Sequence, residues 1–448
     1  MKKETVNILG GGPVGSLLSL MLIQQGYSVK VYEKREDPRK KLIHEGRSIN
    51  MALSHRGIHA LKEAGIYQSI ENELIPMEGR MMHSVDKQLT FQAYGKEGQA
   101  INSISRARLN EIICQEAEKA GVQFYFGNKC EAVEISTREI SLKRGDSMVK
   151  VESDVLIGAD GAFSSLRKEF EKDPEFSSIL TQLGHGYKEL NLEPKGGDFV
   201  FEPNYLHIWP RGDFMLIALP NPEKNFTCTL FLPHGGEHSF AELTTDEQIE
   251  RFFKKFFPDI FELIPDLVHQ FQNNPTSNLN MIDCFPWSKN NNLIIGDAAH
   301  AIVPFYGQGM NAGFEDCRIL IETLKSNSFN WQAGLIEFEK SRKEDTKAIS
   351  TLALKNFVEM RSKVAHPKFL NRKKLEARLQ SEFPETWIPL YTMVTFTDLP
   401  YSTCLRIGEI QQEVLDQVSD LSDPTKVDLL SLIELFNNLV QADPQVCL

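Results

Sequence analysis

The chain has 448 residues, of which 41% are hydrophobic and 25% charged, an ordinary balance for a globular protein of two or three domains. Its formal net charge of −12 argues against a nucleic-acid binder, which would need a basic face. The seven cysteines are scattered without a CxxC pair, so we expect reduced thiols, no metal site and a cytoplasmic location.

Neither end of the chain predicts export or membrane insertion. The first four residues run directly into a predicted strand, which leaves no room for a signal peptide. No apolar run approaches the ~18 residues of a membrane span. Residues 427–440 are apolar but contain Asp428 and Glu434, so we predict an amphipathic closing helix there and no membrane partner.

The first predicted element is an apolar strand at residues 6–9, followed by the glycine-rich turn 10–15 and a helix. The turn is typical of a nucleotide site, because its glycines let the backbone approach a pyrophosphate at the helix N-terminus. The next strand, residues 27–32, ends at Glu33, which is placed to bind a ribose hydroxyl. Glycines also form plain turns, so the motif alone does not choose FAD over NAD. The cradle residues are Gly10, Gly12 and Gly15.

Further along, helices are predicted at residues 55–64 and 106–120, each stopped by a glycine, with a strand at 122–126. This alternation favours a doubly wound sheet. Residues 199–232 change to β-type runs broken by Pro/Gly turns, which indicates an antiparallel second domain. After residue 313 helical periodicity dominates, with one long helix expected at 333–361.

We therefore predict an α/β fold: a discontinuous Rossmann-like FAD-binding domain, an antiparallel-sheet substrate domain and a C-terminal helical region. The FAD-binding domain is assigned to residues 1–73, 102–176 and 284–326. The substrate domain is assigned to residues 74–101 and 177–283. The helical region is assigned to residues 327–448.

Two later motifs place an aspartate beside a glycine after an apolar strand, Asp160 in residues 158–161 and Asp297 in residues 296–300. An aspartate at the strand end could accept a hydrogen bond from a ribityl hydroxyl. Beyond it, residues 304–311 bring backbone N–H groups to a helix start, where they could hold the flavin pyrimidine edge. The bland alternative for each motif is a turn-forming pair. Taken together, the motifs predict bound FAD. No second GxGxxG motif follows a strand, so we expect a nicotinamide nucleotide to bind only transiently.

These three stretches resemble those of the single-component flavoprotein aromatic hydroxylases. Within that group, five strings are similar to the kynurenine 3-monooxygenases: residues 46–57, 206–212, 311–317, 356–361 and 391–394. The resemblance covers residues 1 to about 405. Relatives in animals and fungi carry a hydrophobic membrane tail that this chain lacks, which favours a bacterial-type enzyme.

The resemblance implies that Arg80 and Tyr94 bind the substrate carboxylate, with Asn356 and Tyr391 nearby. A guanidinium fork suits a carboxylate, and a phenol can add a neutral donor. Without the family context, Arg80 would read as a solvated surface charge and Tyr94 as a strand aromatic. Tyr306 stands where some bacterial relatives have histidine, so a pH switch at that position is not expected.

The resemblance also implies an apolar slot for the aryl ring. Period-2 spacing puts Met215 and Leu219 on one strand face and Thr229 and Phe231 on one face of the next, although core packing explains the same pattern. The family lines its pocket at Leu206, Met215, Leu219, Thr229, Phe231, Pro304, Phe305 and Gln308. For FAD it implies Val14, Glu33, Ala52, Arg106, Asp297, Met310 and Asn311, and it gives Asp160 contact with FAD and nicotinamide.

The implied activity is hydroxylation of L-kynurenine to 3-hydroxy-L-kynurenine in tryptophan catabolism, with NADPH and O2 as co-substrates, through a C4a-hydroperoxyflavin. The flavin would supply the chemistry, so no catalytic side chain is nominated. Two alternatives stay open: hydroxylation of another aromatic acid, and a flavin-binding redox sensor without turnover. We expect a monomer or weak homodimer.

Overall fold

The computed structural model describes residues 4–40, 50–360, 367–418, 423–444 and 446. It confirms the expected fold class, with parallel and antiparallel sheets followed by helices. Three parts of the sequence interpretation lie outside the described residues: positions 46–49 and Arg361 of the family strings, and Cys447.

The strands and helices are numbered in chain order. The strands are β1 Thr5–Leu9, β2 Ser28–Glu33, β3 Asn50–Leu53, β4 Ile75–Met77, β5 Gly79–His83, β6 Leu89–Ala93, β7 Ile101–Ser105, β8 Gln123–Phe126, β9 Lys129–Glu134, β10 Glu139–Arg144, β11 Ser147–Glu152, β12 Val155–Gly158, β13 Ser177–Leu192, β14 Tyr205–Pro210, β15 Met215–Pro220, β16 Phe226–Pro233, β17 Ser277–Phe285, β18 Ser288–Lys289 and β19 Asn292–Ile294. The helices are α1 Pro13–Gln24, α2 His55–Glu63, α3 Arg106–Lys119, α4 Ser165–Phe170, α5 Asp246–Phe256, α6 Pro258–Leu263, α7 Leu267–Asn273, α8 Asp297–His300, α9 Gly309–Ser326, α10 Trp331–Val358, α11 Pro367–Glu382, α12 Leu390–Phe396, α13 Tyr401–Asp416 and α14 Leu429–Ala442.

A six-stranded sheet with the order β18-β19-β12-β1-β2-β8 forms the half that the sequence predicts to bind a nucleotide. Its strands are parallel except for the β18–β19 pair. Val6, Ile8 and Ile157 are fully buried because helices cover the sheet, as expected for parallel strands. The ends of β1, β12 and β19 therefore bring the glycine-rich turn and the two glycine-aspartate motifs to one edge of the sheet.

A seven-stranded sheet with the order β17-β13-β16-β15-β14-β5-β6 forms the second layer. Alternate residues of β15 and β16 face opposite sides. Leu216 and Leu230 pack with Phe252 and Phe253 of α5 in one cluster, whereas Met215 and its neighbours face the other way. The sheet thus has one face covered by helices of its own layer and one face turned toward the nucleotide-binding half and the C-terminal helices.

Two smaller sheets complete the β-structure, β3-β7-β4 and the meander β11-β10-β9. The C-terminal helices follow, with α10 packed on both α9 and α13, and α14 packed on α13. The helices predicted at 333–361 and 427–440 are confirmed as Trp331–Val358 and Leu429–Ala442. Within the described ranges, no helix has the length and apolar character needed to cross a membrane.

Candidate active site

The turn between β1 and α1 has the geometry of a phosphate cradle. Gly10 has a φ of +101°, and a Cβ there would lie 2.4 Å from the carbonyl oxygen of Ala159. A Cβ at Gly15 would lie 2.1 Å from the carbonyl oxygen of Gly10. No described side chain caps α1 at Gly12, and no described atom lies within 4 Å of a Cβ built there. The helix N-terminus is therefore open to an anion.

Three carboxylates surround this cradle. Glu33, at the end of β2, accepts a hydrogen bond from the Gly11 N–H at 2.9 Å. One oxygen of Asp160 accepts from the Ser165 N–H at 2.7 Å, while its Oδ1 is buried and has no partner in the described part of the chain. Burial raises the pKa of Asp160. Asp297 begins α8 with an exposed side chain. The unpartnered oxygen and the exposed carboxylate are available to the hydroxyl and amide groups of a nucleotide.

The side chain of Asn311 links the end of β3 to the turn before α9, where a flavin would lie. Its Oδ1 accepts from the Ser54 N–H at 2.9 Å, and its Nδ2 donates to the carbonyls of Ala52 and Gly307 at 2.9 and 2.8 Å. The side chain is fully buried, and Met310 beside it is 8% exposed. The amide of Asn311 is thus committed to the backbone, so we expect it to shape the flavin site while its own backbone N–H meets the cofactor.

Val14 packs into a gap that glycines leave open. A Cβ at Gly313 would lie 2.7 Å from a methyl carbon of Val14, and one at Gly296 would lie 3.3 Å from the other methyl.

The cradle, the open N-terminus of α1 and the unpartnered Asp160 oxygen are what a dinucleotide needs. The residues present therefore fit FAD.

Arg106 begins α3 as predicted, and it interacts electrostatically with Glu189 and Tyr187 of β13. Glu189 pairs with Thr229 across β13 and β16, on the sheet face that carries Phe231. Burial raises the pKa of Glu189 to about 7, although Arg106 opposes the shift. Sequence reasoning missed Glu189, because a carboxylate on an alternating strand reads as solvent-facing.

Arg80 is a buried charge in the region that the sequence predicts to bind the substrate. It lies on β5 with 9% exposure, and its guanidinium carbon is 4.9 Å from the ring centre of Tyr391 and 5.4 Å from that of Tyr94. The two rings are stacked at 5.0 Å. Within the described ranges, Arg80 Nε and the Tyr94 hydroxyl are buried without a hydrogen-bond partner. A buried cation with unpartnered donors is the arrangement that recognises a carboxylate.

The tyrosines around Arg80 are neutral donors at physiological pH. Burial raises the pKa of Tyr94, Tyr391 and Tyr306, and the positive charge of Arg80 does not reverse the direction. Burial would lower the pKa of Arg80, yet the phenols and Glu359 raise it overall, so the guanidinium stays charged. Tyr306 stacks on Tyr391 at 5.3 Å, a contact to which the sequence interpretation gave no role.

An apolar wall continues from this charged end along the seven-stranded sheet. Phe231 meets Phe305 at 4.8 Å between ring centres, and Phe305 stacks on Phe357 at 4.2 Å. Leu206 lies opposite Arg80 in the β14–β5 register. Pro304 is exposed at the start of the short 3-10 turn Pro304–Tyr306. The structure brings the remaining predicted wall residues to the same region: Met215, Leu219 and Thr229.

Two predicted polar contacts of the substrate are engaged by the protein itself. Gln308 is 1% exposed, and its amide donates to Ser54 Oγ at 3.2 Å and accepts from the Tyr401 hydroxyl at 2.9 Å. Asn356 Nδ2 donates to the Phe305 carbonyl at 2.5 Å. Each amide keeps only part of its bonding capacity for a ligand. Sequence reasoning did not find Ser54 or Tyr401, because partners far apart in the chain leave no local pattern.

Buried histidine–aspartate pairs occur among the described residues, although the sequence suggested none. His300 Nε2 lies 2.5 Å from Asp316, which also accepts from Arg342 Nε at 2.8 Å. His83 lies 3.4 Å from Asp259 on the helix-covered side of the second sheet. The first pair belongs to a buried ion network between α8, α9 and α10, and the second lies under the helices of the second sheet. We assign both pairs to packing and not to proton transfer.

Comparison with known proteins decides the family. Residues 3–332 match the FAD binding domain family. The chain is 47% identical to a kynurenine 3-monooxygenase of Cytophaga hutchinsonii over 94% of this chain and 95% of the relative, and 41% identical to one of Myxococcus xanthus over 98% and 96%. The chain belongs to the kynurenine 3-monooxygenase family.

Members of this family are FAD-dependent monooxygenases that use NADPH and O2, and this chain is an enzyme of that class. The family resemblance inferred from the sequence strings is confirmed. The fold agrees with a solved 2-methyl-3-hydroxypyridine-5-carboxylic acid oxygenase, with a TM-score of 0.68 and 18% identity over 83% of this chain and 96% of that one. The structure of PqsL in complex with 2-aminobenzoylacetate gives a TM-score of 0.66 at 17% identity over 80% and 97%.

Proposed function

We propose that this kynurenine 3-monooxygenase family member hydroxylates L-kynurenine to 3-hydroxy-L-kynurenine, consuming NADPH and O2. The observation that carries the proposal is the buried Arg80 beside Tyr94 and Tyr391, where Arg80 Nε and the Tyr94 hydroxyl find no acceptor among the described residues. An amino-acid carboxylate would supply the missing anion, and the apolar wall would hold the aryl ring. The names of the relatives support the same substrate.

The charged end sets the orientation of the substrate. Arg80 offers two-pronged donation to a carboxylate, and the neutral Tyr94 hydroxyl adds a third donor. Because the site is buried, these hydrogen bonds act at low dielectric and are stronger than in water. Binding the carboxylate at Arg80 would turn the aryl ring toward the wall around Phe231 and Phe305.

The apolar end excludes water and fixes the ring. Phe305 stacks on Phe357 and meets the tilted ring of Phe231, so three aromatic rings form this part of the wall. A ring held in one place lets a single carbon face the reactive position, which raises the effective concentration of the two reacting groups. The amino group of kynurenine already activates its ring, so the proposal requires no base from the protein.

FAD would be held by the glycine cradle, Glu33, Asp160 and the turn before α9, with Arg106 as the nearby cation. When bound, it supplies the reduction and oxygen chemistry that side chains cannot perform. The N-terminus of α9 would stabilise negative charge at the adjacent edge of the cofactor, since Gln308 caps it without a side-chain hydrogen bond.

Three finer predictions belong to this proposal. The domains are divided as 1–73, 102–176 and 284–326 for FAD, 74–101 and 177–283 for substrate, and 327–448 for the helical region. The chain acts as a monomer or weak homodimer. We infer a cytoplasmic location, which the scattered cysteines of the sequence support.

The proposal is tested with purified holoenzyme by following NADPH oxidation with and without L-kynurenine while the product is identified. We expect kynurenine to stimulate oxidation and to yield 3-hydroxykynurenine in step with NADPH loss. Strong stimulation by a hydroxybenzoate or anthranilate, with kynurenine inert, would support the other-acid alternative. Bound flavin without any ligand-dependent NADPH loss would support the sensor.

A further inference from the structure

A cluster of two histidines and one aspartate lies on the surface where α2 meets the turn before α13. His55 Nε2 is 2.9 Å from Asp398 Oδ2, and His59 Nδ1 is 3.1 Å from Asp398 Oδ1. One atom from each of the three side chains lies within 4.8 Å of the others. The histidines are one helical turn apart, so their rings project from the same side of α2. The side chains are 34–43% exposed, so a solvent ion can reach them.

A second carboxylate orients the His59 ring. His59 Nε2 lies 3.1 Å from Glu63 Oε1 on the next turn of α2. A neutral ring that donates from Nε2 to Glu63 turns the lone pair of Nδ1 toward Asp398, whose oxygens also only accept. Two acceptors at this distance repel each other unless a proton or a metal cation lies between them. A histidine held by an outer carboxylate and bound through its other nitrogen is a common arrangement at metal sites.

We propose that His55, His59 and Asp398 form a binding site for a divalent transition-metal ion, with Zn²⁺ the best fit and Glu63 the orienting partner. Two imidazoles and one carboxylate match the ligand preference of Zn²⁺. Bonds of about 2.0–2.1 Å place neighbouring ligand atoms roughly 3.0–3.4 Å apart. The two histidine nitrogens lie 2.9 and 3.1 Å from different oxygens of the Asp398 carboxylate, close to this requirement. One ligand atom of each residue lies within 4.8 Å of the others, so the side chains have to draw together to admit the ion.

The position of the site indicates a structural role. His55 and His59 lie on the helix that follows β3, while Asp398 precedes Leu399, whose carbonyl accepts from Arg56, and Tyr401, whose hydroxyl donates to Gln308. A bound ion would therefore join α2 to the segment that fixes Gln308. Because it would bind the folded chain only, it would stabilise that state in proportion to its concentration over its Kd.

The experiment titrates tag-free holoenzyme with zinc chloride by isothermal calorimetry at pH 7.5 and measures the melting temperature with and without zinc. We expect one ion per chain and a rise in Tm. His59→Gln and Asp398→Asn should each abolish both effects, and Glu63→Gln should weaken binding by about 10- to 100-fold. His238→Gln should change nothing, since the side chain of His238 is similarly exposed at 32% but lies outside the cluster.

Flavin content and the Tm without zinc establish that each variant is folded, and His55→Gln replaces any variant that is not. Saturable binding by the native chain that is lost in the cluster variants and kept in His238→Gln supports the site. Absence of saturable zinc binding by the native chain overturns the proposal. Equal binding by native and His59→Gln chains also overturns it, because the ion would then lie elsewhere.

Discussion

Arg80 is the residue whose surroundings most require a ligand. A buried guanidinium is costly unless its donors are satisfied, and neither the Nε of Arg80 nor the hydroxyl of Tyr94 has a hydrogen-bond partner among the residues that the structure describes. Stacked tyrosines offset part of that cost through their ring faces. The site is thus prepared for an anion before the anion arrives.

Replacement of Arg80 by methionine separates carboxylate recognition from ring recognition. We expect kcat/KM for L-kynurenine to fall by about 10- to 100-fold, because a charge-assisted hydrogen bond is lost. The control substrate is kynuramine, which lacks the carboxylate, and its turnover should change little. Steady-state kinetics on both compounds checks the prediction. An equal loss for both would show that Arg80 supports the fold and not the carboxylate.

Glu189 carries a pH dependence of stability. Its pKa in the folded protein is raised from 4.5 to about 7, first through burial, with Arg106 opposing. Between these two values the folded state binds more protons than the unfolded state, so the free energy of unfolding falls as pH rises, by at most about 3 kcal/mol. The stabilising contribution is complete at acidic pH and is lost above about pH 7.

Glu189→Gln should therefore raise the melting temperature at alkaline pH and leave it nearly unchanged at mildly acidic pH. The neutral amide mimics the protonated acid and removes the cost of the buried charge. Melting curves of the holoenzyme at about pH 5 and pH 8 test this. Glu152→Gln, on the exposed strand β11, is the control and should shift Tm at neither pH. A Glu189→Gln chain with the native pH profile would refute the assignment.

At the scale of elements, the nucleotide half was readable from the sequence and part of the β-structure was not. The turn at residues 10–15 is recognisable in the sequence because close contacts, such as that of Gly10 with Ala159, leave no room for a side chain and require glycine. The meander β9–β11 is mostly exposed, so its strands carry little apolar alternation. The long strand β13 was missed because its first six residues are exposed and Gly184 and Gly186 interrupt it.

The cradle yields a prediction for Gly10→Ala. A methyl group there would meet the Ala159 carbonyl at 2.4 Å on a backbone with φ of +101°, so the turn has to shift. We expect loss of most bound FAD and a fall in stability of about 1–3 kcal/mol. Flavin absorbance per protein and Tm measure the two effects.

Gly145→Ala is the matched control for the cradle variant. Gly145 also has a positive φ, +57°, but nothing lies within 4 Å of a Cβ built there. The Gly145→Ala variant tests the effect of backbone strain without a steric clash, so we expect it to bind as much FAD as the native chain. Full flavin occupancy in Gly10→Ala would contradict the cradle.

At the scale of the whole molecule, the proposed substrate site depends on distant segments that meet in the fold. Arg80 lies on β5 and Tyr391 on α12, and the sequence could pair them only through family resemblance, since no local pattern links them. The same holds for Gln308 and Tyr401. Local motifs predicted the cofactor half because its chemistry depends on backbone turns, whereas the substrate half depends on packing between the second sheet and the C-terminal helices.

The central claim is that this chain inserts one atom of O2 into kynurenine. The most direct measurement is turnover of L-kynurenine with NADPH under ¹⁸O2, followed by mass spectrometry of the product. The account predicts 3-hydroxykynurenine carrying one labelled oxygen in its ring hydroxyl. Unlabelled product, or NADPH consumption that leaves kynurenine intact and yields only peroxide, would contradict it.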